Sequence, residues 1–170
     1  MEKIIINEET LREEQVDKIN IKVRALLILK KQILVSNYGG VVMLPGGKVD
    51  KGESNKQGLI RELHEETGIM YNEDELKDLF LLDYYQSNYP TRENTILNRL
   101  CKTYFYYGTF KGIDDINKKM TEKEKKDNFF LRLVDIDDIN NNLCDESNPR
   151  SEFFNREITE AIKVYKKLLR

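Results

Sequence analysis

The sequence predicts an α/β fold in which a mixed β-sheet lies between helices. Three observations carry this. Short apolar or alternating runs stand on both sides of one well-marked helix. That helix brings its own start and stop signals, at Ser54 and Gly68. The chain then closes on a long stretch with apolar residues at helical spacing. Strands before and after a helix, followed by a terminal helix, fit a layered arrangement in which each apolar face finds a partner.

Taken in order, residues 1–18 are acidic and weakly patterned, with Ile4-Ile5-Ile6 as a short edge strand. They are read as a peripheral extension of a single domain spanning 1–170. VRALLIL at 23–29 and QILVS at 32–36 read as two strands joined by a tight turn at Lys30-Lys31. A third strand at 41–44 runs into Pro45-Gly46-Gly47. Ser54 followed by Gln57 is a capping box, in which the hydroxyl accepts from a free amide of the first turn and Gln57 reaches back. Gly68 suits the left-handed residue that ends a helix, so a helix is predicted over 55–67. KDLFLLDYY at 77–85, RLCKTYFYYGTF at 99–110 and a run at 128–134 read as further strands, rich in aromatic and β-branched residues. A short helix start follows at 135–139. Asn148-Pro149 resembles an N-cap followed by Pro at the first helical position. The final helix, to about residue 169, places Phe154, Ile158, Ala161, Ile162, Tyr165 and Leu169 on one face. Two polar segments, 87–97 and 111–127, are expected to be functional loops around a pocket. No internal repeat, low-complexity tract or second-domain linker interrupts this order.

The chemistry sits on the first helix. Glu62, Glu65 and Glu66 are i, i+3 and i+4 neighbours on one side, next to an apolar stripe of Leu59, Ile60 and Leu63. Three carboxylates held that close repel one another unless a cation lies between them. An isolated E-x-x-E-E helix is more often a solvated surface. Here two glycines, an arginine and the spacing argue for a site. Oxygen ligands without His or Cys favour Mg²⁺ or Mn²⁺ over Zn²⁺. Such an ion bridges carboxylates to substrate phosphates, and a carboxylate can deprotonate a water for attack on phosphorus. Arg61 precedes Glu65 by one turn and is expected to orient a carboxylate. Gly46 and Gly47 let backbone approach a ligand closely. Gly58, in mid-helix on the acid side, makes room for a ligand or a neighbouring chain. Glu53, at the helix entrance, either supports the site or simply favours the positive end of the helix dipole.

Residues 47–69, GKVDKGESNKQGLIRELHEETGI, fill every fixed position of G-x5-E-x7-R-E-U-x-E-E-x-G-U, where U is a large aliphatic residue. Such a match arises by chance in fewer than about 10⁻⁹ of random windows at average residue usage. The stretch resembles the Nudix box, the signature of hydrolases that cleave nucleoside diphosphates linked to another moiety. The resemblance implies a Nudix-type α/β/α sandwich with a mixed β-sheet over roughly residues 20–168. It implies the Gly46 carbonyl, with Glu62, Glu65 and Glu66, as ligands of Mg²⁺ or Mn²⁺. It also implies Glu53 as a residue supporting the metal through water or hydrogen bonds, and one more carboxylate from a late loop as ligand or base. That loop offers Asp114, Asp115, Glu122 and Glu124, with Glu124 the first choice from its place before the last strand. The catalytic set is therefore Glu53, Arg61, Glu62, Glu65 and Glu124. The implied substrate is a small nucleotide, open among modified nucleoside triphosphates, nucleotide sugars, dinucleoside polyphosphates and capped RNA. The competing reading is a Nudix-like sensor that binds nucleotide without catalysis. Such sensors typically lack box acids or carry a DNA-binding domain, whereas the acids here are intact.

Composition narrows the classes. Apolar residues make 39%, charged residues 34%, and the formal net charge is −2, without the basic signature of a nucleic-acid binder. No sequence-specific nucleic acid partner and no membrane partner are expected; a homodimer is left open. No apolar run reaches the ~20 residues that span a bilayer. The N-terminal residues lack a signal-peptide pattern, and Cys101 and Cys144 lack metal or redox spacing, so a cytoplasmic setting is expected. His64, the sole histidine, is expected on the surface away from the acids. Tyr84, Tyr85, Tyr89, Tyr104, Tyr106 and Tyr107 cluster on two strands; some could stack on a base, though half-buried strand aromatics are the commoner role. Arg92 and Arg99 could grip phosphate.

Overall fold

The computed structural model describes residues 1–91, 93–143 and 149–170. Arg92, Cys144 and Asn148, singled out above, lie outside the described residues. Among the described residues seven strands form one mixed sheet. The strands are β1 (Glu2–Ile6), β2 (Lys18–Leu29), β3 (Gln32–Tyr38), β4 (Val41–Met43), β5 (Lys77–Pro90), β6 (Ile96–Thr109) and β7 (Phe130–Asp135). They lie in the order β1-β5-β6-β2-β3-β4, and β7 also pairs with β3. β2 runs parallel to β6 and β1 parallel to β5; the remaining pairs are antiparallel.

The helices are α1 (Asn55–Thr67), the short α2 (Glu122–Lys126) and α3 (Pro149–Leu168). Alternate residues of a strand face opposite sides of a sheet, and two cores result. Val23, Ala25 and Leu27 of β2 pack with Leu59 and Leu63 of α1. Leu26 of the same strand packs with Phe80, Phe105 and the α3 residues Phe154, Ile158, Ala161 and Ile162. The architecture is thus the predicted α/β/α sandwich.

α1 matches the expected span, with the Ser54–Gln57 capping box formed and Gly68 left-handed at φ 74. A side chain at Gly68 would also strike the Asp114 carbonyl, because the segment after β6 crosses the end of α1. Asp114 N–H donates to the Thr67 carbonyl and Lys119 N–H to that of Glu65, and so the last carbonyls of the helix are satisfied.

Several boundaries differ from expectation. β2 begins at Lys18, not at 23, because its first half pairs in parallel with residues of β6 that start at Arg99. The expected loop at 87–97 is mostly a hairpin: β5 runs on to Pro90 after an irregularity between Gln86 and Tyr89, and β6 starts at Ile96. Polar composition misled there, since the strand ends are half-exposed. The expected loop at 111–127 contains α2, capped by Thr121. The helix start at 135–139 is a turn leading to a 3₁₀ helix at Ile139–Asn142. Leu169, assigned to the buried face of α3, is 68% exposed, since it lies beyond the last helical turn.

Candidate active site

The site is built where α1 meets the turn Leu44-Pro45-Gly46-Gly47. That turn is laid along β2: Ala25 N–H donates to the Pro45 carbonyl and Val23 N–H to the Gly47 carbonyl. Gly47 is required by proximity. A Cβ there would stand 2.3–2.4 Å from the Glu62 carboxylate. The Gly46 N–H donates to Glu66 Oε2 at 3.1 Å. Glu66 is 8% exposed, and burial pushes its carboxyl up to about 8, with the negative charges of Glu62 and Glu124 adding and Arg24 and the Gly46 N–H opposing. Burial likewise raises the Glu62 carboxyl, against the Arg61 hydrogen bond that lowers it.

Arg61 ties the acids together, through more partners than the one expected. Its Nε and Nη2 reach the two carboxylate oxygens of Glu53 at 2.8 and 3.1 Å, and its Nη1 reaches Glu62 at 2.9 Å. Glu65, the expected partner one turn away, pairs with it more loosely, at 3.6 Å. The bidentate grip holds the Glu53 carboxyl below its usual range, helped by the Asp50 N–H. Gly58 makes room for this pair and not for a ligand: a Cβ there would meet Glu53 Oε2 at 3.1 Å and Val49 Cγ2 at 3.4 Å.

The helix and its entrance thus bring Glu53, Arg61, Glu62 and the half-exposed Glu65 into one network, with Glu66 held beside it by the Gly46 N–H. Glu124 is near enough for its charge to act on Glu66, but its carboxylate caps α2 by accepting from Thr121 N–H and hydroxyl. Asp114 is turned to Asn117, Asp115 to Lys118 and Glu122 to Lys125. His64 is half-buried beside Asp114, not on open surface. Tyr106, raised above as a stacking residue, is 4% exposed in the core under α1.

Sequence reasoning missed the residue that grips this turn from the other face. Arg24, 4% exposed, donates through Nη1 to the Gly46 carbonyl at 2.5 Å and the Leu44 carbonyl at 3.1 Å. Its Nε faces Glu157 Oε2 of α3 at 3.5 Å, a loose ion pair in which neither atom makes a hydrogen bond among the described residues. Thr103 holds the other Glu157 oxygen at 2.9 Å. The signal was present, as a charge inside VRALLIL and a glutamate beside Ile158 on the apolar side of α3.

From the turn, a cleft of about 510 Å³ runs back along β2 on the α3 side. Lys22 opens it, next to Lys48, and Phe153 and Phe154 form its α3 wall.

A divalent cation fits this donor set in kind. The oxygens are hard, two of the carboxyls are raised by burial, and a cation beside them would hold both ionised. Among the described residues no three acids, histidines or cysteines converge closely enough to hold an ion alone. Mg²⁺ commonly draws its remaining ligands from water and phosphate.

The family model described as NUDIX domain matches residues 19–157, and the chain belongs to that family. It is 34% identical over 70 residues to an 8-oxo-dGTP diphosphatase of Proteus vulgaris, covering 41% of this chain and 58% of that one. It is 38% identical over 66 residues to an 8-oxo-dGTP diphosphatase of Haemophilus influenzae, covering 39% and 45%. The matched segments thus span about half the length of these relatives. A crystal structure of a MutT protein from Methanosarcina mazei Go1 has the same fold, with TM-score 0.58 at 20% identity, covering 88% of this chain and 96% of that one. No helix among the described residues is long and apolar enough to cross a membrane.

Proposed function

We propose that the protein hydrolyses a diphosphate linkage in a nucleoside diphosphate derivative, with Mg²⁺ or Mn²⁺ as cofactor and water as nucleophile. One observation carries this reading: two carboxyls, Glu66 buried and Glu62 half-buried, lie against a glycine turn on the helix of a complete Nudix box. Burying acids side by side is costly without a cation. The Gly46 carbonyl, Glu62, Glu65 and Glu66 would hold the ion, which when bound supplies positive charge for the phosphate oxygens.

The chain's own residues do the rest. Arg61, anchored by Glu53, holds the Glu62 carboxylate in one orientation. The Gly46 N–H holds Glu66. Glu65 is the least buried of the three acids, and we assign it the proton of the attacking water on that ground. Arg24 keeps the turn itself in place. No Ser-His or Cys-His pair accompanies these groups in the sequence, so no covalent intermediate is expected. Glu124 joins the site only if α2 releases its carboxylate from Thr121.

The test is a panel of nucleotides with Mg²⁺ or Mn²⁺, products identified by mass. 8-oxo-dGTP belongs in it because two relatives carry that activity in their names. In ¹⁸O-water a single turnover should label one phosphate product. Nucleotide binding without turnover of any compound would favour the sensor reading instead.

A further inference from the structure

The cleft beside the glycine turn is cationic in a protein of net charge −2. Lys18, Lys22 and Arg99 line it, and Glu93 is the one acid among its described lining residues. None of the three cations has a carboxylate within ion-pair distance among the described residues, and each is placed by something other than an acid. Lys18 lies opposite Arg99 in the β2–β6 ladder. Lys22 is half-buried, with Nζ 4.9 Å from the centre of the Phe153 ring. Desolvation by burial pushes its ammonium down, against the opposing charge of Glu157, which Thr103 and Arg24 engage. Arg99 stacks its guanidinium 3.2 Å from the centre of the Tyr89 ring and donates Nε to Gln86 at 2.6 Å. That leaves both terminal nitrogens of a fixed guanidinium for a ligand, the geometry that suits a phosphate.

Cations that have no carboxylate partner among the described residues and repel one another in a half-buried cleft cost free energy which an anion would recover. The volume matches pockets for small organic ligands. Lys22 pairs with Lys48, which directly follows the turn that packs on Glu62 and Glu66.

We propose that the cleft binds a second phosphate group, one that is not hydrolysed, so that the preferred substrate is a nucleoside diphosphate derivative whose other moiety itself carries phosphate. The second phosphate is read by Lys18, Lys22 and Arg99. This deepens the hydrolase reading and rests on it for the word substrate. The phosphate could be a monoester on a sugar or a further unit of a polyphosphate chain, and the test separates them.

The first arm needs no activity. Without divalent metal, the acids of α1 repel phosphate, so binding of inorganic phosphate or tripolyphosphate, followed by calorimetry, reports the cleft. Wild type should bind, and Arg99→Met and Lys22→Met should each weaken binding about tenfold, the scale of one charge-assisted hydrogen bond. Lys18→Met, at an exposed position, serves where a half-buried substitution disturbs folding, as judged by circular dichroism. The second arm compares kcat/KM for NADP⁺ against NAD⁺, which differ by a ribose monoester, and for diadenosine tetraphosphate against diadenosine diphosphate. At least one pair should favour the phosphate-rich member about tenfold or more, and Arg99→Met should shrink that ratio toward one. No phosphate binding by wild type, or ratios near one in both pairs, overturns the proposal. Turnover of none of the four, while the wider nucleotide panel is hydrolysed, overturns the proposed substrate preference; turnover of no nucleotide at all, with phosphate binding intact and sensitive to Arg99, counts against the hydrolase reading and leaves the cleft standing.

Discussion

On the α1 face of the sheet, the charges around the glycine turn are acids drawn from one short stretch of chain. Glu53, Glu62, Glu65 and Glu66 share a helix or its entrance, and Arg61 of the same helix binds them. On the α3 face they are mainly cations drawn from far apart: Lys22 and Arg24 from β2, Arg99 from β6, with Glu157 arriving from α3. Helical periodicity alone assembles the first group, since i, i+3 and i+4 residues must be neighbours. Only the parallel pairing of β2 with β6 and the docking of α3 assemble the second. Under the proposed function the first face serves chemistry that any diphosphate presents, and the second tells one diphosphate from another.

The comparison breaks most visibly at Glu66. Glu66→Gln keeps the shape but removes the negative charge, and kcat should fall by about 10³-fold, the scale of removing a group that acts on the transition state. Mn²⁺ binding, followed by electron paramagnetic resonance, should weaken with it. Unchanged Mn²⁺ affinity and rate would show that the acids of α1 are a surface and not a site.

Arg24 is where the two faces meet, so its loss should register in both. Arg24→Met leaves Glu157 buried without its partner and should destabilise the fold by about 3 kcal/mol in urea unfolding. Adding Glu157→Leu should recover most of that stability, because the stranded charge is gone. The rate should stay low in both variants, since the Gly46 carbonyl has lost its donor. Recovery of rate together with stability would reduce Arg24 to a packing residue.

Arg61→Lys tests whether the α1 network is oriented or merely neutralised. Lysine keeps the charge but cannot bind both Glu53 oxygens and Glu62, so kcat should fall about 10–100-fold with little change in KM. A rate within twofold of wild type would mean that charge alone suffices. The smallest effect is expected at Ser54→Ala, which removes the N-cap of α1 and should cost about 1 kcal/mol. Its hydroxyl touches only Gln57 N–H, so kcat on the folded protein should be unaffected.

The same comparison explains what was readable beforehand. The cap, the span and the acidic side of α1 were legible because each depends on residues within a few turns of one another. Helical spacing gave the Arg61–Glu65 pair, at 3.6 Å, but not the closer bonds to Glu62 and to Glu53, which lies off the helix where Gly58 leaves room for it. Lys18, Asn20, Lys22 and Arg24 alternate with Ile19, Ile21, Val23 and Ala25, a pattern that ordinarily marks a strand with one wet face. Here part of that face turns inward to a cleft, because α3 covers it. Tyr106 went the other way, from imagined stacking residue to core, once α1 packed over it. Arg99 and Tyr89 were visible as residue types but not as a stacked pair, since they lie on different strands.

By itself, then, the sequence determined the layered α/β class, the limits of the motif helix and the acids it carries, because caps, periodicity and i, i+4 geometry are local. The tertiary structure alone decided that Glu66 is buried, that Arg24, facing Glu157, holds the glycine turn from behind, and that Lys18, Lys22 and Arg99 line one cleft. Those facts depend on strand register and on which helix covers which face, and register is set by the whole sheet closing at once.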